Sequence, residues 1–215
     1  MKIDVDAVMR ARLPRHYRYM PRIAVKWLER FIRQDGLNAL LESNAGLRGA
    51  DFCAGVLRDL DVEYRVSGEE LLPPPTDRKV TLVSNHPLGA LDGIALIDYV
   101  SRRYGGKVRF VVNDLLTAVE PLRDVFVPIN KHGRQNRGDA AGVDEAFASD
   151  DPVLVFPAGM CSRRSGDGVR DLAWHKMFVN KSIEYRRTVI PLFFDGENSK
   201  FFYNFAKIRT ALGIK

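Results

Sequence analysis

From residue 79 onward the sequence alternates between two periods, and that alternation limits the fold more than any other feature. Short runs rich in valine, isoleucine, leucine and phenylalanine recur: KVTLVSN (79–85), KVRFVVN (107–113), VFVPIN (125–130), DPVLVFP (151–157) and TVIPLFF (188–194). Between them lie longer stretches with helical spacing, LDGIALIDYVSRRY (91–104), AAGVDEAFAS (140–149) and LAWHKMFVNKSIEYRR (172–187), and SKFFYNFAKIRTAL (199–212) follows the last. Apolar strands joined by helices predict an α/β fold: a mixed, mostly parallel sheet covered by helices on both faces. In such sheets functional groups gather where strands end and helices begin.

Upstream the pattern differs. LLPPPTDRK (71–79) is a connector, because consecutive prolines neither continue a helix nor sit in a central strand. PRIAVKWLERFIRQ (21–34) puts Ile23, Trp27, Phe31 and Ile32 near one helical face, with basic residues elsewhere. LNALLES (37–43) and ADFCAGVLRDL (50–60) read as two further helices, and DVEYRVSG (61–68) alternates like a strand. The expected organisation is a helical segment over 1–60, resting on the core or on a membrane, and a domain over 61–215. The closing RTALGIK has no obvious terminal element, which leaves room for a further C-terminal segment.

Three strand exits carry polar groups. At the first, Asn85-His86-Pro87-Leu88-Gly89 turns the chain, and a helix begins near Leu91 with Asp92 behind it. The turn can bring Asp92 back against His86. A carboxylate on one imidazole nitrogen fixes the tautomer and leaves the other free to take a proton from a hydroxyl. The plainer alternative is a turn histidine beside a carboxylate that stabilises the helix dipole. At the second exit, VLVFPAGMCSRRSGDG (153–168) delivers Ser162, Arg163 and Arg164 just past a Pro-Gly turn. The guanidiniums and the backbone amides around Gly159 could hold an anion or a developing oxyanion; a solvated surface turn is the alternative. At the third, DVFVPINKHGRQNRGDAA (124–141) ends in Asn130, Lys131, His132, Arg134 and Arg137. That is either a solvated basic loop or a third contribution to the same crevice.

The formal net charge of +6 favours anionic partners, whether nucleic acid, a membrane surface or an acidic carrier. No nucleic-acid module is recognisable, so none is expected as a partner. No apolar run approaches the roughly 18 residues of a membrane span. Cys53 and Cys161 form no metal or redox pattern and read as free thiols of a reducing cytoplasm. Trp174 reads as core packing or an interfacial anchor on a predicted helix, and His175 as solvated.

Taken in order, the blocks Asn85–Asp92, Phe126–Lys131, Phe156–Arg163 and Val189–Leu192 resemble the glycerolphosphate/lysophospholipid acyltransferase family, over roughly residues 60 to 200. The resemblance implies the glycerolphosphate acyltransferase-like fold and an acyltransferase domain over 61–215. It implies His86 as general base and Asp92 as its orienter. Asn85, Asn130, Lys131, Gly159, Ser162 and Arg163 would bind substrate. The acyl donor would be an acyl carrier protein or coenzyme A thioester and the acceptor a lyso-lipid. No cofactor, metal or covalent acyl-enzyme is required, and the expected location is cytoplasmic, peripheral on the inner face of the cytoplasmic membrane. Three departures separate this chain from the usual pattern. Five residues lie between His86 and Asp92 instead of four, Ala158 replaces a glutamate, and Asn130-Lys131 stands where an arginine is usual. The last two fall on groups tied to a glycerol-phosphate head. NHPLGALDG with FPAG looks most like the branch that acylates lyso-aminolipids, sometimes labelled hemolysin-like. Ordinary phospholipid synthesis and a catalytically silent lipid- or carrier-binding protein are the alternatives.

Overall fold

The computed structural model describes residues 2–12, 17–129, 137–166 and 168–211. The chain divides into two compact units between Leu47 and Arg48. The first holds helices α1 (Val5–Arg12), α2 (Arg22–Phe31) and α3 (Gln34–Ser43). Its N-terminus is tied to α3 by side chains. Ile3 N–H donates to Asn38 Oδ1 at 2.6 Å, and Val5 N–H to Gln34 Oε1 at 2.7 Å. On α2, Val25 is the buried residue, whereas Ile23 and Trp27 are exposed.

The second unit begins with α4 (Gly49–Asp59) and β1 (Val80–Ser84), followed by α5 (Ala90–Tyr104), β2 (Arg109–Asn113) and β3 (Phe126–Ile129). Helix α6 (Arg137–Ala148), β4 (Val153–Val155), a small hairpin of β5 (Arg163–Ser165) and β6 (Gly168–Arg170), α7 (Met177–Glu184), β7 (Thr188–Leu192) and α8 (Lys200–Ala211) complete it. The main sheet has the order β3-β2-β4-β1-β7, and every neighbouring pair is parallel. The antiparallel β5–β6 hairpin stands apart from it. The α/β reading therefore holds, with helices on both faces of the sheet. One face packs Val83, Val111, Val127, Val153 and Val155 against Val143, Ala146 and Phe147 of α6 and Phe178 of α7. On the other, Phe110 of β2 lies so close to α5 that a Cβ on Gly93 would stand 2.9 Å from its ring.

β1 and β4 are adjacent and central, and their chains leave on opposite faces, β1 into α5 and β4 toward α7. A crevice opens at such a divergence, beyond the carboxyl ends of the strands. At the other end of the sheet the buried Arg187 donates to the carbonyls of Val80, Phe147, Ser149 and Asp151, which satisfies chain ends that would otherwise be orphaned.

Two expected elements differ. Residues 61–68 form no strand. Val62 N–H returns to Leu57 O, and the Tyr64 hydroxyl donates to Asp98 Oδ2 at 2.7 Å, so this alternating stretch is held by α5 and not by a sheet edge. The helix expected over 172–187 begins only at Met177. Before it, His175 N–H donates to Pro157 O at 3.1 Å and Trp174 Nε1 to Asp171 Oδ2 at 2.9 Å, which draws the backbone across the β4 turn.

Candidate active site

The exit of β1 delivers His86. Pro87 and Gly89, the latter at φ 80°, turn the chain into α5, a conformation glycine adopts without the strain of a Cβ. Asp92 sits in the first turn of α5, 0% exposed. Its Oδ2 accepts from Leu88 N–H at 2.8 Å and Gly89 N–H at 3.1 Å, and lies 3.0 Å from His86 Nδ1. The two readings left open by the sequence are thus both true: one carboxylate oxygen caps the helix start and orients the histidine. Because that oxygen accepts, Nδ1 carries a proton and Nε2 is the nitrogen left able to accept one.

The imidazole stacks on Phe156, with ring centroids 4.0 Å apart at 19°, and Phe156 packs edge-on against Phe110. Cys161 stands by the same turn, its sulfur 3.5 Å from where a Cβ on Gly89 would stand. Burial is the largest influence on the ring and opposes its protonation. The carboxylate of Asp92, with Cys161 nearby, acts the other way, and the pKa is raised from 6.5 to about 9.

The β4 turn is built against this pair. Ser162 N–H donates to His86 O at 2.8 Å, so the second exit is stitched to the first. Ser162 is buried, and its hydroxyl donates to Asp171 Oδ1 at 2.5 Å. The same oxygen accepts His86 N–H at 3.2 Å. Ser162 therefore works inside the scaffold. Gly159 N–H closes the turn onto Phe156 O at 2.9 Å, and Ala158 is buried. The side chain of Asn85 engages both backbone groups of Phe194. Arg163 Nη1 reaches the carbonyls of Cys161 and Ser162 at 2.7 and 3.3 Å, and its guanidinium lies 5.7 Å over the Phe202 ring.

Of the expected site residues, His86, Asp92, Asn85, Gly159, Ser162 and Arg163 converge at the ends of β1, β4 and β7. Asn130 and Lys131 lie outside the described residues. Sequence reasoning missed Asp171, which ties His86, Ser162 and Trp174 together. For Asp171 the one local signal was its position three residues before a tryptophan. What the arrangement can do chemically is take a proton at Nε2 from a nucleophile, with the ring fixed from behind by a buried carboxylate.

Comparison with known proteins gives a consistent assignment. A family model described as Acyltransferase matches residues 7–215. A lyso-glycine lipid O-acyltransferase of Phocaeicola vulgatus is 45% identical over 213 residues, covering 99% of this chain and 76% of the relative. One of the same description from Bacteroides thetaiotaomicron is 44% identical over 213 residues, covering 99% of this chain and 78% of the relative. No solved structure matches.

Proposed function

Since this chain belongs to the acyltransferase family, we propose that it moves a fatty acyl group from an acyl carrier protein or coenzyme A thioester to the free hydroxyl of a lyso-aminolipid, with a lyso-glycine lipid first among acceptors. The observation that carries the acceptor is the identity of 45% to a lyso-glycine lipid O-acyltransferase across nearly the whole chain. The departures at Ala158 and Asn130-Lys131 support it, because they remove groups suited to a phosphorylated glycerol. A lysine is a flexible point charge where an arginine would be a planar fork for phosphate, and it tolerates a carboxylate less rigidly placed.

In this reading His86 takes the proton of the hydroxyl, Asp92 holds the ring, and Arg163 and Lys131 attract anionic parts of the substrates. A thiolate is a good leaving group, so positioning and a base do most of what is needed. The reaction calls for no cofactor and no metal.

Among the described residues no helix is long and apolar enough to cross a membrane. Exposed Ile23 and Trp27 on α2 lie beside exposed Arg22, Lys26 and Arg30, the pattern of a helix resting on an anionic surface. This supports the reading of a protein peripheral on the inner face of the cytoplasmic membrane.

Side-by-side kcat/KM values test the acceptor. A lyso-glycine lipid should exceed lysophosphatidic acid by at least tenfold, about 1.4 kcal/mol of transition-state discrimination. An equal preference in the other direction would assign the protein to ordinary phospholipid synthesis. Running each acceptor with both thioesters identifies the donor.

A further inference from the structure

His86 stands beyond the end of β1, whose last residue is Ser84. The pairing of β1 ends at Val83 opposite Val155 on the β4 side and at Ser84 opposite Leu192 on the β7 side. The ladders stop short of His86, so its peptide groups need partners from elsewhere. The β4 exit supplies both. Ser162 N–H donates to His86 O at 2.8 Å, and Asp171 Oδ1 accepts His86 N–H at 3.2 Å. The carboxylate takes over the part a strand carbonyl would play if the sheet continued. The same oxygen accepts the Ser162 hydroxyl at 2.5 Å, and the other oxygen accepts Trp174 Nε1–H at 2.9 Å.

Ser162 precedes β5 and Asp171 follows β6, so their bond closes the base of the hairpin. Closing a hairpin needs that bond alone. The bond to His86, 85 positions away, serves something else. Asp92 on α5 fixes the imidazole through Nδ1, and Phe156 covers one face of the ring. Neither fixes the main chain from which the ring hangs. A ring held at the right angle on a shifted peptide still carries Nε2 to the wrong place. Misplacing a reacting group by about 1 Å can cost about 100-fold in rate.

We propose that Asp171 is a positioning residue for acyl transfer. By bonding His86 N–H and the Ser162 hydroxyl on one oxygen, it fixes the main chain of the base against the β4 turn and so sets where Nε2 meets the acceptor hydroxyl. This rests on the acyl-transfer reading above and leaves its chemistry unchanged. Asp171 exchanges no proton and touches nothing that reacts. What it contributes is an acceptor in the right place, and its charge is incidental. An amide oxygen also has two lone pairs, so an asparagine here can keep both bonds with its oxygen. Its N–H₂ then faces the indole N–H of Trp174, and that third bond is lost. The two arms of the carboxylate are thereby separable.

The test compares the whole protein with Asp171→Ala and Asp171→Asn in transfer from palmitoyl-coenzyme A or palmitoyl-acyl carrier protein to a lyso-glycine lipid, under conditions where urea denaturation shows each protein folded. Asp171→Ala should lower kcat by about 10- to 100-fold, with KM for both substrates within about threefold of wild type. Asp171→Asn should recover most of the rate, to within about threefold of wild type. In a Trp27→Phe background Trp174 is the one remaining tryptophan. Its emission should change in both variants, which separates release of the indole from loss of rate. In the wild-type protein the His86 amide should exchange with deuterium only on global unfolding, a measurement that decides even where Asp171→Ala does not fold. A folded Asp171→Ala with kcat within about threefold of wild type overturns the proposal. So does a loss carried by KM alone, an Asp171→Asn as slow as Asp171→Ala, or a His86 amide that exchanges without protection. Each of these leaves the acyltransferase function standing. A wild-type protein that transfers to no lyso-lipid overturns the acyl-transfer reading, and the proposal with it.

Discussion

Asn85 grips Phe194: its side-chain carbonyl accepts Phe194 N–H at 2.6 Å, and its amide N–H₂ donates to Phe194 O at 2.9 Å. The two residues are 109 positions apart and join the exits of neighbouring strands β1 and β7. This clamp fixes the direction in which β1 hands the chain to His86. Asparagine fits because one planar amide offers both a donor and an acceptor. Asn85→Asp loses the donor and sets a carboxylate against the Phe194 carbonyl. It should destabilise the protein by about 1–3 kcal/mol and lower kcat more than it raises KM, because the base is displaced. Urea denaturation with steady-state kinetics checks both, and an Asn85→Asp enzyme of wild-type stability would show the clamp to be dispensable.

His86→Ala should reduce turnover by about 10²- to 10⁴-fold with the fold retained. Asp92→Asn keeps an oxygen able to accept from Leu88 and Gly89 N–H, and loses charge and orientation at the ring, so its rate loss should be smaller. Asp92→Ala also removes the cap and should cost about 1–2 kcal/mol of stability as well. The reverse order of rates, with Asp92→Asn worse than His86→Ala, would contradict the assignment.

The protonation of His86 is linked to folding. Its folded pKa, about 9, is raised above the ordinary 6.5. The stabilisation this brings is fully present below the unfolded value and is lost as pH rises through the folded one. At about 1.4 kcal/mol per unit it amounts to roughly 3 kcal/mol. The stability gap between wild type and His86→Gln should therefore be widest near about pH 6 and close toward about pH 10. A gap that grew with pH would mean that the histidine is held neutral in the folded protein.

Gly93 leaves no room for a side chain, since a Cβ there would stand 2.9 Å from Phe110 and 4.0 Å from Phe156. Gly93→Ala should push on the aromatic pair that backs His86, costing about 1–3 kcal/mol and lowering kcat. Thermal melting and kinetics read both effects, and an alanine variant with unchanged turnover would show that the aromatic backing does not set the ring's position.

Vesicle flotation tests the membrane surface. Binding to anionic vesicles should weaken as salt rises, by screening, with a remainder carried by apolar contacts such as Trp27. Trp27→Ala should reduce that remainder. Absence of binding at low salt would count against a surface-bound enzyme.

Much of the site was legible because its pieces are local. Strand, turn and helix N-terminus lie within residues 80–92, and the periodicity and the Pro-Gly turn specify them in sequence. The alternation over 61–68 misled because period two reports which side chains point inward, and Tyr64 points to Asp98 on a helix. The helix expected from Leu172 failed for a related reason: apolar spacing does not reveal that Asp171 and Pro157 engage Trp174 and His175 first.

By itself the sequence determined the class of fold and the strand exits that carry its polar groups, among them the turn that can bring Asp92 back onto His86. These follow from burial patterns and turn chemistry written into short stretches. Only the tertiary structure decided the strand order, the clamp of Asn85 on Phe194, and the bridge of Asp171 to His86 across 85 positions. Those contacts depend on which strands become neighbours and on the face by which each crossover returns. Helix packing on the two sides of the sheet settles that, and no local propensity encodes it.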